Sequence, residues 1–284
     1  MPNCTPSHQD INIYYQNVRG LRSKTHNFYV NSSDSAYDFV IISETWLCDS
    51  ITNNELFPQS YSVMRCDRRS ESVGRSTGGG VLIAYLNKYF FECVNTSHIN
   101  DIAPLVDIVI CKGTIKTNTI YLVSVYIPPD VSSADMCSFI DALVPILLDK
   151  SFIMVGDFNL PELTTDTASR VTCSKTRCFI NFCSLMGLNQ HNNVLNSNGK
   201  TLDLILTNIK SIINVDREAF PWVQEDRHHP ALSINTTLID VETVQSFPSA
   251  DNIKYNFKLA NFIYLYDDLI NLNCSFLYSA TYFN

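Results

Sequence analysis

The chain has 284 residues, 45% of them hydrophobic and 17% charged, with a formal net charge of −8. That length allows one large α/β domain or two small ones, and the low charge fraction excludes a mostly disordered chain. The negative balance excludes a protein that grips a polyanion by bulk electrostatics, so any nucleic-acid contact has to be local.

Along the chain, Ile11–Val18 alternates and is rich in β-branched and aromatic residues, which predicts a strand ending at Asn17-Val18-Arg19-Gly20. Asp38–Ser43 reads as a buried strand running into Glu44-Thr45-Trp46, and Tyr61–Arg65 as a further strand. A polar loop, Arg65–Gly80, carries Arg65, Arg68, Arg69 and Arg75 and closes on three glycines. Strands are then predicted at Val81–Leu86, Phe90–Val94, Val106–Cys111 and Thr119–Tyr126, the last stopped by Pro128-Pro129. Ala134–Leu148 has helical spacing, with Ser133 as its expected cap. The apolar run Phe152–Val155 predicts a buried strand, with Gly156 expected to let the backbone turn sharply. Thr176–Met186 is a predicted helix closed by Gly187, and Leu202–Thr207, Ile212–Asp216 and Ala231–Asn235 are late strands. Val241–Asp251 reads as a polar linker, and Lys254–Leu277 as one or two helices with an apolar face. The whole is a strand-rich α/β chain.

The opening Met1-Pro2-Asn3-Cys4-Thr5-Pro6 lacks the apolar core of a signal peptide, and no apolar run reaches membrane-spanning length. The expectation is a cytoplasmic and nuclear protein, not secreted, with reduced thiols and no membrane partner. Cys173, Cys178 and Cys183 recur every five residues, which suits a helix face better than the close pairs of a zinc site.

Polar residues of catalytic type recur at the ends of these strands: Asn17, Glu44, Tyr126, Asp157 with Asn159, and the Asp226–His229 segment. Asp203 stands inside an apolar strand, where an unpaired carboxylate costs several kcal/mol, roughly. It requires either a turn hydrogen bond or a histidine partner. In Gly156-Asp157-Phe158-Asn159 an acid and an amide stand two residues apart on a sheet rim. That pairing suits the holding and polarising of a water beside a metal-bound phosphate. Each residue has a plain alternative as a turn cap, a helix cap or a core side chain; it is their joint recurrence that points to a site.

The ordered motifs Gln16-Asn17-Val18-Arg19-Gly20-Leu21, Ser43-Glu44-Thr45-Trp46, Gly78-Gly79-Gly80-Val81, Ser124-Val125-Tyr126-Ile127-Pro128-Pro129, Gly156-Asp157-Phe158-Asn159 and Thr201-Leu202-Asp203-Leu204-Ile205 resemble the endonuclease/exonuclease/phosphatase superfamily. More narrowly, they resemble the apurinic-type endonuclease domain of non-LTR retrotransposons. The resemblance spans about Ile11 to Leu238. It implies a DNase I-like four-layer α/β sandwich, two packed mixed sheets flanked by helices, over residues 1–238. Residues 239–284 resemble a linker and helical connector toward an absent reverse transcriptase. It also implies DNA as substrate, with element RNA and a reverse transcriptase as partners in the intact polyprotein, and it fixes no oligomeric state.

The resemblance assigns Glu44 as the main ligand of a divalent metal, Mg2+ with Mn2+ as the alternative, and Asn17 as an aid to that site. Carboxylate oxygen suits such a hard cation. Asp157 matches the acid that orients or deprotonates the attacking water, and Asn159 the amide that holds phosphate or that water. Tyr126 matches a phosphate-contacting phenol, and Asp203 the acid that supports the catalytic histidine, which stabilises phosphate charge in the transition state. Where many members carry Ser-Asp-His, this chain has Glu225-Asp226-Arg227-His228-His229-Pro230. Both His228 and His229 are candidates, His229 being preferred, with Asp226 as the expected orienting acid. The implied reaction is hydrolysis of a DNA phosphodiester to leave a 3′-hydroxyl. A superfamily phosphatase or phosphodiesterase, and a decayed fragment serving as an interaction module, are the competing readings. Arg65–Arg75, with Arg19, Arg22 and Lys24, is the expected basic rim, and Asn192–Lys200 the equivalent of a groove-entering hairpin.

Overall fold

The computed structural model describes residues 9–68, 78–163 and 173–238, all within the unit Met1–Asp240. The linker and connector expected beyond Leu238 lie outside the described residues, as do Arg69 and Arg75. The strands are β1 (Gln9–Asn17), β2 (Phe39–Ser43), β3 (Tyr61–Cys66), β4 (Val81–Leu86), β5 (Phe91–Cys93), β6 (Asp107–Ile115), β7 (Asn118–Tyr126), β8 (Phe152–Asp157), β9 (Asn189–Gln190), β10 (Asp203–Thr207), β11 (Ser211–Arg217) and β12 (Leu232–Leu238). The helices are α1 (Thr25–Ser33), α2 (Ser97–Ile102), α3 (Ser133–Leu147) and α4 (Ser174–Leu185).

Two six-stranded mixed sheets form, in the orders β11-β12-β1-β2-β4-β3 and β5-β6-β7-β8-β10-β9. Among the described strands only β1–β2 and β7–β8 are parallel. The period-two alternation of the strands explains the layering. Ile11, Ile13 and Tyr15 of β1 join Ile153 and Val155 of β8, Ile205 of β10, and Leu232 and Ile234 of β12 in the core between the sheets. The opposite faces are covered separately. Met154 of β8 and Leu204 of β10 pack with Phe139 of α3 and Phe179 of α4. Tyr14 and Val40 pack with Phe28 of α1 and with Trp222, whose ring stacks on Tyr14 at 4.3 Å. Each fully buried aliphatic or aromatic side chain contributes about 1.5–3 kcal/mol. Among the described residues no helix is long and apolar enough to cross a membrane.

Three local readings change. The cap of α3 is Ser132, not Ser133: its hydroxyl accepts from the Asp135 amide at 3.1 Å and donates to the Asp135 carboxylate. Gly156 does not turn the chain, since β8 continues through it to Asp157. Its role is close approach, because a Cβ there would lie 1.8 Å from the Val125 carbonyl oxygen of β7. Helix α1 is absent from the sequence reading because it buries little: among its residues only Phe28 and Ser32 are buried.

Candidate active site

Strand direction gathers the polar residues at one edge. Because β1 runs parallel to β2, and β7 to β8, Asn17, Glu44, Tyr126 and Asp157 all stand at or just past C-terminal strand ends. Strand β10 is antiparallel to β8 and β12 to β1, so their starts return to the same edge. Asp203 thus pairs in register with Asp157, and His229 sits three residues before Leu232. Alternation does the rest: Tyr15 then Asn17, Val155 then Asp157, and Ile205 back to Asp203 continue the inward-facing rows. Asn17, Glu44, Asp157, Asp203 and His229 are all buried.

The Asn17 amide nitrogen lies 3.0 Å from Glu44 Oε1 and 3.0 Å from Asp157 Oδ2, bridging the two carboxylates across the sheets. Its own oxygen accepts from the Arg19 amide at 3.2 Å. Glu44 Oε2 accepts from the Trp46 indole at 3.2 Å. Asp157 Oδ1 accepts from the Asn159 amide at 3.1 Å, and the Asn159 side chain donates to the Ile127 carbonyl. His229 Nδ1 is 3.0 Å from Asp203 Oδ2, and its Nε2 is 3.7 Å from Asp157 Oδ2. Tyr126 is buried beside this cluster, and its hydroxyl makes no hydrogen bond among the described residues.

Glu44 has φ +52° and Trp46 φ +52°, a left-handed conformation that non-glycine residues adopt at a cost of about 1–3 kcal/mol each. The turn is clamped from both sides. The amides of Gly20 and Leu21 donate to Glu44 and Thr45, and those of Thr45 and Trp46 donate to Gly80 and Gly79. A strained carboxylate-bearing turn held in this way is preorganised rather than mobile.

Burial lowers the His229 imidazole pKa, but the carboxylates of Asp203, Asp157 and Glu44 outweigh it and push it up to about 9. Its protonated form therefore dominates at neutral pH. Burial, reinforced by Asp203 and Glu44 and opposed by His229, holds the Asp157 carboxyl well above its ordinary range. Such a site favours positive charge. One ligand atom each from Glu44, Asp157 and His229 lies within 4.8 Å of the others. The oxygen donors of Glu44 and Asp157 fit a hard divalent cation, while His229 is engaged by Asp203 through Nδ1. Asn17 presents its nitrogen, not its oxygen, to the carboxylates of Glu44 and Asp157, and so fixes their orientation.

Other expected residues fall elsewhere. Asp226 does not orient the histidine. Its Oδ2 pairs with Arg19 at 2.8 Å and its Oδ1 accepts from the His228 amide. Partial burial raises the Asp226 carboxyl, yet these donors hold it below its usual value. The orienting contact comes from Asp203, which strand pairing brings across the sheet. His228 lies on the rim, with Nδ1 3.3 Å from the Asn198 side chain and Nε2 3.0 Å from Arg227. The basic rim is largely engaged. Arg65 reaches Asp67 and the Cys48 and Ile51 carbonyls, Arg68 is buried against Asp107, Arg22 binds the Trp46 carbonyl and Lys24 the Val18 carbonyl. The segment Asn192–Lys200 is an ordered loop held by Asn192 and Asn196, with Leu195 exposed.

Sequence reasoning missed Tyr15 and Ser43. The Tyr15 hydroxyl donates to Asp203 Oδ1 at 2.7 Å and lies 3.2 Å from Ser43 Oγ, whose own hydroxyl can donate to it. Burial and the neighbouring Asp203 charge keep Tyr15 a neutral donor far above its usual pKa. The available signal was its inward position two residues before Asn17.

Residues 120–232 match the family described as endonuclease-reverse transcriptase. No curated protein matches the sequence. Among solved structures, the endonuclease domain of TRAS1, a telomere-specific non-LTR retrotransposon, superposes with a TM-score of 0.57 at 14% identity, covering 80% of this chain and 98% of that one. The AP endonuclease LMAP from Leishmania major gives 0.57 at 13% identity, with 80% and 87% covered. The 3′ phosphatase NExo from Neisseria, bound to a product DNA hairpin, gives 0.53 at 14% identity, with 78% and 98% covered. At these identities the likeness is one of fold. With the family match over residues 120–232, the two packed sheets and the Glu-Asp-His cluster at their common edge resemble the endonuclease/exonuclease/phosphatase superfamily, whose fold this chain shares.

Proposed function

We propose that the chain is a divalent-metal-dependent DNA endonuclease that nicks a phosphodiester to leave a 3′-hydroxyl and a 5′-phosphate, the priming step of non-LTR retrotransposon insertion. The convergence of Glu44, Asp157 and the Asp203–His229 pair within one buried edge carries this reading. The match to the endonuclease-reverse transcriptase family supports the element context. In it, residues 1–238 are the nuclease and 239–284 the connector to a reverse transcriptase that handles the element RNA, in a protein that acts in cytoplasm and nucleus.

Glu44 and Asp157 are the residues that would hold the cation, Mg2+ or Mn2+, which when bound supplies Lewis-acid stabilisation of charge on the scissile phosphate. Asp157 accepts a proton from the attacking water, the water oxygen bonds to phosphorus, the bond from phosphorus to the 3′ oxygen breaks, and that oxygen takes a proton from solvent water to leave as the 3′-hydroxyl. Asn17 fixes the spacing of the Glu44 and Asp157 carboxylates. Asn159 holds Asp157 through its amide, and its own side chain is tied to Ile127. His229, protonated and steadied by Asp203, offsets negative charge on the phosphoryl oxygens. Tyr126 offers a free hydroxyl to the same phosphate.

The test is nicking of supercoiled plasmid with Mg2+, with EDTA, and with Glu44→Ala. Nicking that depends on Mg2+ and on Glu44 is expected; nicking that survives EDTA removes the metal mechanism. A superfamily phosphatase is the second reading, favoured by the net charge of −8 and by the fold shared with NExo. Release of inorganic phosphate from a 3′-phosphoryl oligonucleotide, without plasmid nicking, would select it.

A further inference from the structure

The glycine triplet Gly78-Gly79-Gly80 and a buried ion pair are left unexplained by the chemistry above. The side chains of Arg68 and Asp107 are each 5% exposed, and Arg68 Nη2 lies 2.5 Å from Asp107 Oδ2. The same guanidinium donates to the Leu105 carbonyl at 2.9 Å, and its carbon lies 5.2 Å from the centre of the Tyr126 ring. A buried pair of this kind adds little net stability, because desolvation consumes most of the Coulomb attraction. Its worth has to lie in what it positions.

The bonds lead toward the site. Asp107 Oδ2 also accepts from the Gly80 amide at 2.9 Å. Gly80 and Gly79 in turn accept from the amides of Thr45 and Trp46, at 3.1 and 2.9 Å, on the strained turn that carries Glu44. Glycine is required along this route. A Cβ on Gly79, at φ +73°, would lie 2.3 Å from the Arg68 guanidinium carbon and 2.4 Å from Asp107 Oδ2. One on Gly80, at φ +83°, would lie 2.5 Å from Thr45 Oγ1. Asp107 also faces Tyr126 across the β6–β7 ladder.

We infer that Arg68 and Asp107 are positioning residues: the pair braces the Gly79–Gly80 segment, which holds the Glu44 turn in its left-handed form, and it fixes the Tyr126 ring beside it. This deepens the nuclease reading and rests on it for Glu44 as cation ligand. Arginine is specific here, since one planar fork serves Asp107, Leu105 and the Tyr126 face together, and lysine has no such fork.

The test is amide hydrogen exchange in the cation-free protein, with the Mg2+ dissociation constant read from the Mg2+-dependent thermal shift. In the unmodified chain, Gly80, Thr45 and Trp46 amides are expected to open with a common free energy. Free exchange at Gly80 with Thr45 and Trp46 still protected overturns the brace without any variant. In Arg68→Lys and in Asp107→Asn, exchange at Thr45 and Trp46 is expected to rise about tenfold or more while β1 and β8 keep their protection. The Mg2+ dissociation constant is expected to weaken about tenfold, and the double variant to be no worse than the worse single, as for one coupled unit. Folded variants with unchanged exchange at Thr45 and Trp46 overturn the inference. If exchange rises but the unmodified chain never nicks DNA, the brace stands and the nuclease reading falls.

Discussion

Replacing Glu44 by Gln should stabilise the cation-free protein while abolishing its response to Mg2+. The reasoning starts from charge density. Glu44 and Asp157 lie in a buried cluster with ligand atoms within 4.8 Å, and Asp203 stands behind His229. Two like charges about 5 Å apart at an effective dielectric near 20 repel by ~3 kcal/mol. Protonated His229 relieves part of this. Gln keeps the volume of Glu and still accepts from the Asn17 amide, but it loses one acceptor, the contact to the Trp46 indole. That loss costs about 1–1.5 kcal/mol. The net gain is ~1–2 kcal/mol, a rise of a few degrees in Tm for a domain of this size. In the unmodified chain, Mg2+ at about ten times its dissociation constant adds ~1.4 kcal/mol, or roughly 3–6 °C. Thermal unfolding in EDTA and across a Mg2+ series, for both proteins, reads these shifts. An equal Mg2+ shift in Glu44→Gln, or a lower cation-free Tm than the parent, would refute the electrostatic account of the site.

His229→Ala should lower plasmid nicking by about 10²–10⁴-fold, whereas His228→Ala should change it only a few-fold, because His228 faces the rim and contacts Asn198 and Arg227. Without cation, stability should fall as pH rises. His229 has a folded pKa of about 9 against an ordinary 6.5, so its contribution is fully present below pH 6.5 and is lost as pH rises through 9. That difference corresponds to ~3 kcal/mol. The raised Asp157 carboxyl acts in the same direction above its ordinary range, and urea unfolding in EDTA that strengthens between pH 6.5 and 9 would contradict the His229 assignment. Gly156→Ala should cost about 3 kcal/mol or more, or prevent folding, since its methyl group would overlap the Val125 carbonyl. A variant with parental Tm would show that β7 and β8 can separate freely there.

Periodicity made the scaffold legible. The alternating or continuous apolar runs at Ile11, Phe39, Val81, Thr119 and Phe152 became central strands, with ends displaced by only a few residues. Strands β6 and β12 run further than their apolar runs suggest, because polar residues alternate there with Ile115 and Leu238, which still join the core between the sheets. Helix α1 and the short strand β9 went unseen because neither buries enough to leave a periodic trace.

The partners of the site's side chains were legible in part: the motif carrying Asp203 already pairs it with the histidine, whereas the expectation of Asp226 as orienting acid fails for a topological reason. Nearness in sequence proposed Asp226 as the companion of His229, but the backbone between them closes a tight bridge that turns the Asp226 carboxylate outward to Arg19. Asp203 is remote in sequence, yet β10 pairs with β8 in a register that sets it opposite Asp157, beneath the His229 ring. One residue of slip in that ladder would face Asp203 toward the helices of the outer layer and leave His229 without its acid. The specificity of the Asp203–His229 contact is therefore a property of strand register, which Ile205 and Leu206 enforce by their burial on opposite faces. The apolar residues beside the site thus decide which acid the histidine meets.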